Sequence, residues 1–455
     1  MIEHAFHVKI ARSDKKGRHL LAKSDIPAGT IIIKEPPYAS VSKSPFFCSP
    51  CFSRLIEPAE DRPFVCNRCS KESGEDGFSI NDKSLVILCY KIVLRMVSES
   101  NFSYEMFFKE CHDSKELLSG GYIADFRAVA KLFTIDLEVS SSDIDKVCRL
   151  VKKRTDQLSW DQLQLVVQHV FSSLPCNVQG VRCITEKHGA ISEERIGSGL
   201  YLTLALMNHS CSPNTRIYFE NSDIVVVTTV EVKQGEELFH NYGPDVLHFP
   251  KHLRQQILVR QYQFTCDCNA CSVDGSKEPQ YALQCEHCSN SVWLESDAPK
   301  CDSCAGVTNV QKFHLRIELL NQKLSCLGDN SSSSIHHVDS IVEEAKRLYS
   351  PESVMFGNIM DTCALFYAAI KVWDKAIECS KASCHVIEAA TGKQTPTYAL
   401  ELLKSCDIRI EALENRTPSS QLREDVLFCV GLLKHCKYVG LERLSKIIEW
   451  SDSRW

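Results

Sequence analysis

The sequence lacks any long hydrophobic run. Nowhere in its 455 residues is there an apolar stretch of about 18, the length a membrane-crossing helix needs. The opening stretch, MIEHAFHVKIARSDKKGRHL, has no apolar core of signal-peptide length. Both absences set the expectation of a protein on the reducing side of the cell, in cytoplasm and nucleus. An excess of positive charge is missing too. Lys and Arg number 52 against 58 Asp and Glu, a formal charge of −6, so global electrostatics give no reason to expect nucleic-acid binding. Only Lys251 to Arg260 reads as a mildly basic patch. The chain also lacks the bias of a disordered tail: 44% hydrophobic and 24% charged residues are ordinary globular material, and the length suggests two or three domains.

Cysteine, by contrast, is abundant. There are 24, and five Cys-x-x-Cys pairs occur: Cys48/Cys51, Cys66/Cys69, Cys268/Cys271, Cys285/Cys288 and Cys301/Cys304. Random placement would give roughly one such pair. In a reducing compartment, cysteines at short spacing bind metal more often than they form disulfides. Cys285, Cys288, Cys301 and Cys304 have the spacing of a four-cysteine zinc ribbon. Cys48, Cys51, Cys66 and Cys69 form a second quartet, read as one zinc site. Cys266, Cys268 and Cys271 supply three thiolates, and a tetrahedral site needs a fourth. Cysteines in helical patterns, such as Cys89, Cys148, Cys363 and Cys429, read as small buried hydrophobes.

Residues 6 to 46 read as short strands and turns, with β-branched Ile31-Ile32-Ile33 after the turn Pro27-Ala28-Gly29. From about Asn81 to Phe171 the apolar spacing becomes helical. Gly180 to Tyr242 returns to short strands, among them Ile224–Val227 and Leu238–His240. Beyond Val310 only helices are expected. Leu365 to Glu378 resembles a tetratricopeptide hairpin, yet no clean 34-residue period exists, so a repeat array and a plain bundle both stay open.

Three motifs follow one another: Asn208-His209-Ser210-Cys211-Ser212-Pro213-Asn214, then Asn241-Tyr242-Gly243-Pro244, then Cys266-Asp267-Cys268-Asn269-Ala270-Cys271. In this order they resemble the catalytic end of a SET-domain lysine methyltransferase. Lys16-Gly17-Arg18-His19-Leu20 resembles the SET opening, with His19 where the family has Gly. Residues 5 to 306 resemble the SET-and-MYND family, closest to the branch with tetratricopeptide helices. That branch often has a long N-terminal helical extension, and this chain reads as a short member or a shortened product. Cys48 to Cys69 match only the first half of a MYND finger.

The resemblance implies an α+β fold: a β-rich split SET domain with zinc-binding inserts and a post-SET clamp, then an all-α, tetratricopeptide-like C-terminal domain. The implied division is 1–46 (first part of SET), 47–72 (incomplete MYND-like module), 73–179 (helical insert), 180–247 (SET core), 248–275 (post-SET clamp), 276–306 (ribbon) and 307–455 (helices). It implies S-adenosylmethionine as methyl donor, a protein lysine as acceptor, and two or three structural zinc ions. It supplies Cys211 as the fourth ligand beside Cys266, Cys268 and Cys271. Tyr242 becomes the catalytic tyrosine, against the plainer reading of a half-buried aromatic at a strand end. Lys16, Gly17, Arg18, Asn177, Asn208, His209, Tyr242 and Phe264 become cofactor-binding residues, Phe264 by stacking on adenine or, equally, by packing under the clamp.

A lysine acceptor must be neutral to attack. With a pKa near 10.4, only about one part in a thousand is neutral at pH 7.4, a cost of roughly 4 kcal/mol that an apolar channel lowers. Such a site needs aromatic walls and well-placed oxygens, not a strong acid–base dyad, and none is visible. Partners expected are a protein substrate and proteins on the C-terminal helices, with no membrane or nucleic acid. The alternative is a SET scaffold acting as an interaction adaptor or transcriptional regulator.

Overall fold

The computed structural model describes residues 6–43, 47, 83–112, 125–187, 190–272, 278–293, 299–328, 335–413, 418–435 and 442–454, without the side chains of 183–193, 435, 442 and 452–454. The quartet Cys48, Cys51, Cys66 and Cys69 lies outside the described residues. Internal contacts divide the chain into two units, one of residues 1–209, 213–240 and 257–265, the other of 210–212, 241–256 and 266–455.

The first unit opens with a hairpin, β1 (Val8–Ser13) on β2 (Gly17–Ala22), followed by β3 (Ile31–Glu35) and β4 (Ala39–Ser42). Among the described residues five helices come next: α1 (Ser84–Ser98), α2 (Tyr104–His112), α3 (Phe126–Ala130), α4 (Ser141–Lys152) and α5 (Trp160–Asn177). The long hairpin β5 (Val178–Lys187) and β6 (Ala190–Leu200) leads to β7 (Asn208–His209), β8 (Thr215–Glu220), β9 (Asp223–Thr228) and β10 (Phe239–His240). Two three-stranded sheets result, ordered β4-β6-β5 and β3-β9-β8, with β7 and β10 as a separate parallel pair.

Burial explains the helical insert. Helix α1 reads SLVILCYKIVLRMVS and buries Val86, Ile87, Leu88, Cys89, Tyr90, Ile92, Val93, Met96 and Val97. So many buried positions exceed one amphipathic stripe, which suits a helix wedged inside a core rather than lying on it. It packs on β4, α4 and α5, and one hydrophobic cluster runs from these helices into Ile32, Ile33 and Val226 of the strands and Leu238 just before β10. Helix α5 starts at a capping box, Ser159 accepting from Gln162 N and Gln162 Oε1 from Ser159 N, a device worth about 1 kcal/mol.

The second unit contains the first part of α6 (Lys251–Tyr262), α7 (Asn269–Ser272), the two-residue strands β11 (Leu283–Gln284) and β12 (Ser291–Val292), and α8 (Val310–Ser325), α9 (Ile335–Leu348), α10 (Val354–Ala369), α11 (Trp373–Thr391), α12 (Pro396–Glu411), α13 (Ser420–His435) and α14 (Glu442–Arg454). Each helix from α8 onward packs against the next. Beyond Val310 the described residues hold no strand, and the Leu365–Glu378 hairpin appears as the α10–α11 turn. Cys285 and Cys301 share a core with Phe313, Ile341 and Met360, so the ribbon is seated on the helices.

Candidate functional site

Gly17 opens β2 at φ +63°, the left-handed region where a side chain is strained. His19, which replaces a second Gly of the family pattern, turns its Nδ1 to Gly17 O at 3.0 Å, a local hydrogen bond. Arg18 donates to Lys131 O. Lys16 reaches Glu237 at 2.7 Å and lies over the Phe239 ring, 5.2 Å from its centroid.

Asn208 and His209 form β7, paired in parallel with Phe239 and His240 of β10. Two-residue strands hold little by themselves, so side chains fix the crossing. Asn214 donates from Nδ2 to Glu237 O at 2.9 Å and accepts from Phe239 N at 2.9 Å, standing in for a strand partner. Asn208 donates to Glu237 Oε1 at 2.8 Å. Glu35, almost fully buried, accepts from Thr203 N at 3.1 Å and Leu204 N at 2.9 Å, just ahead of β7. The buried His209 ring faces Phe264 edge-on, with centroids 6.2 Å apart. Asn177 ends α5, and its Nδ2 is spent on Phe133 O at 2.8 Å and Ser173 O at 2.7 Å. Lys16, Gly17, Arg18, Asn177, Asn208, His209 and Phe264 thus all belong to the first unit.

Tyr242, half-buried, belongs to the second unit. Its neighbours are firmly set: Asn241 donates to Pro244 O at 2.7 Å and Ser210 O at 3.3 Å, and Gly243 N donates to Asn241 Oδ1 at 2.6 Å.

Cys211, Cys266, Cys268 and Cys271 come together with all four sulfurs within 4.8 Å of one another, as do Cys285, Cys288, Cys301 and Cys304. Pairs at 3.6 Å (Cys211–Cys271), 3.7 Å (Cys285–Cys304) and 3.5 Å (Cys288–Cys301) are far too long for disulfides. They approach the spacing of about 3.8 Å that tetrahedral coordination at about 2.3 Å per sulfur requires. Backbone N–H groups already point at the sulfurs, Cys268 N to Cys266 Sγ at 3.5 Å, His287 N to Cys285 Sγ at 3.4 Å and Gly306 N to Cys304 Sγ at 3.4 Å. Both quartets can therefore hold a tetrahedral metal ion. Hydrogen bonds from Cys211 and Cys266 lower the pKa of Cys271, and the Cys304 and Ser303 N–H groups lower that of Cys301, so each quartet favours thiolate.

Two features were not visible in the sequence. Gln255 clamps Cys266 reciprocally, accepting from its N at 2.8 Å and donating to its O at 2.7 Å. Arg254, from the stretch read as a basic patch, is instead 0% exposed. It donates to Glu278 at 2.8 Å, Phe249 O at 2.7 Å and Cys271 Sγ at 3.8 Å. Its charge serves the cysteine quartet rather than a surface.

Residues 17–243 match the SET domain family, so this is a SET-domain protein. Protein-lysine N-methyltransferase SMYD4 of Pongo abelii is 28% identical over 283 residues, covering 58% of this chain and 34% of that protein. The Homo sapiens SMYD4 is 27% identical over 274 residues, covering 56% and 34%. N-lysine methyltransferase SMYD2 of Gallus gallus is 27% identical over 281 residues, covering 57% and 59%. The chain belongs to the SET-and-MYND family. It spans about a third of the length of the SMYD4 relatives.

Proposed function

We propose that this protein is an S-adenosylmethionine-dependent protein-lysine N-methyltransferase with structural zinc in both described cysteine quartets. The observation that carries the reading is the β7–β10 pair. It lies within the segment matching the SET family and sets Asn208-His209 beside the strand that leads directly to Asn241-Tyr242. S-adenosylmethionine, when bound, supplies an electrophilic methyl group on a positive sulfonium.

The chain's own residues have simple tasks. Asn208, His209 and the backbone at Lys16-Gly17-Arg18 bind the donor, with Asn177 and the Phe264 ring beside them. The Tyr242 hydroxyl orients the reacting groups through contacts that are weak singly and useful for alignment. Exclusion of water around the acceptor would favour the neutral lysine amine. Zinc held by Cys211, Cys266, Cys268 and Cys271 would fasten the segment after Tyr242 to the residues following His209, and zinc on the ribbon would fix it to the C-terminal helices. A third zinc on Cys48, Cys51, Cys66 and Cys69 belongs to the same reading, as does a protein-partner surface on those helices.

Calorimetric titration of the purified protein with S-adenosylmethionine, with metal content measured on the same sample, tests this. One-to-one micromolar binding with at least two zinc ions is expected. A folded, zinc-loaded protein that takes up no S-adenosylmethionine would sink the proposal.

A further inference from the structure

We infer that Glu237 is a positioning residue that fixes which end of the Asn208 amide faces the ligand; this rests on the methyltransferase reading. The backbone holds Glu237 tightly. It bridges Leu21 across to β2, with Ala22 N donating to Glu236 O at 2.9 Å and Leu238 N to Leu20 O at 2.9 Å. Its own carbonyl accepts from Asn214 at 2.9 Å. The side chain is only 9% exposed, and its two oxygens are divided: Oε2 takes Lys16 Nζ at 2.7 Å and Oε1 takes Asn208 Nδ2 at 2.8 Å.

A carboxylate accepts and cannot donate, so the Asn208 amide must turn its NH2 end to Glu237. The second Nδ2 proton points to Lys16 O at 3.4 Å. What remains of the amide is Oδ1, an acceptor. The group offered to a ligand therefore suits a donor, such as the ammonium or amino group of S-adenosylmethionine, and rejects an acceptor. Asn208 alone could present either end. The direction is set by a residue that need not touch the ligand.

Glu237→Gln breaks this logic, because the glutamine NH2 can donate to Asn208 Oδ1 and let the amide flip. The experiment is S-adenosylmethionine titration of the full chain as wild type, Glu237→Gln, Asn208→Ala and the double variant, with melting temperatures alongside. Glu237→Gln should weaken binding about tenfold, the scale of one charge-assisted hydrogen bond. The double variant should bind within about twofold of Asn208→Ala, since residues acting as one unit are not additive. Singles whose effects multiply, or a Glu237→Gln protein within about twofold of wild type, would overturn the inference.

A second arm reads a gain of binding rather than a loss, which a merely destabilised protein would not produce. Asn208→Asp sets two carboxylates against each other and should weaken binding. Adding Glu237→Gln then supplies a donor to the aspartate and should recover about fivefold. A purely structural Glu237 gives no such rescue, and its absence overturns the inference. Wild type that binds no S-adenosylmethionine overturns the methyltransferase reading itself; wild-type binding with an indifferent Glu237→Gln overturns only the positioning role.

Discussion

Arg254→Met isolates the buried charge beside the first cysteine quartet. The guanidinium is fully buried and bonded to Glu278, Phe249 O, Ala270 O and Cys271 Sγ. Methionine fills similar space and makes none of these bonds. Breaking a buried pair by removing one partner costs about 3–5 kcal/mol, chiefly because the other charge is stranded. Here the stranded group is Glu278, which still accepts from Lys251 N at 2.5 Å and Gln280 Nε2 at 3.2 Å. The lower end, about 3 kcal/mol, therefore applies. For a unit of 150–250 residues that lowers the melting temperature by about 6–12 °C. Scanning calorimetry of the metal-loaded protein measures it. Adding Glu278→Gln to Arg254→Met removes the stranded charge and should recover about 1 kcal/mol. A single variant melting within about 2 °C of wild type would refute the account of Arg254 as a buried, paired charge.

Tyr242→Phe should leave S-adenosylmethionine affinity within about threefold and lower methyl transfer by about 10²-fold, near 2.7 kcal/mol, in a single-turnover assay; unchanged turnover removes the hydroxyl from the mechanism. Cys268→Ser should release one metal equivalent and Cys288→Ser another, each without the other, as read by metal analysis of the purified variants; loss of both from one substitution would show that the quartets are not independent. His169 provides a pH test in the first unit. Burial lowers its pKa from 6.5, against the carbonyls of Val129 and Ala130, and its ring stands edge-on to Phe107 at 5.3 Å. A group whose folded value is depressed resists protonation in the fold. The stability it supports is thus present above about 6.5 and declines as pH falls through that value toward the lower folded one. His169→Gln should flatten urea-unfolding free energy against pH between 7 and 5, and an unchanged slope counts against this.

The candidate site was legible where short-range spacing carries chemistry. Cys266-x-Cys268-x-x-Cys271 and the ribbon quartet announce metal ligation because one ion needs several thiolates at once, and their sulfurs do converge. The role of His19 came from the structure: the sequence marks only its departure from Gly, and the fold turns its ring to Gly17 O. Glu237 was not legible either. A glutamate after Gly235-Glu236 reads as a solvated turn residue, and only the approach of Asn208 and Lys16 gives its carboxylate a task. Arg254 misled for the same reason. A basic residue among polar neighbours defaults to the surface until Glu278 and Cys271 arrive from elsewhere in the chain.

The sequence by itself determined the alternation of strand-rich and helical regions, the all-helical run among the described residues after Val310, and the cysteine groups. These depend on periodicity and on ligand spacing, which are local. Only the tertiary structure decided that Asn208-His209 and Phe239-His240 run in parallel as neighbouring strands, that Asn214 and Glu237 hold that crossing, and that a fully buried arginine faces a thiol. Each of these joins residues distant in sequence, and hydrogen-bond complementarity across such distances leaves no periodic trace in the chain.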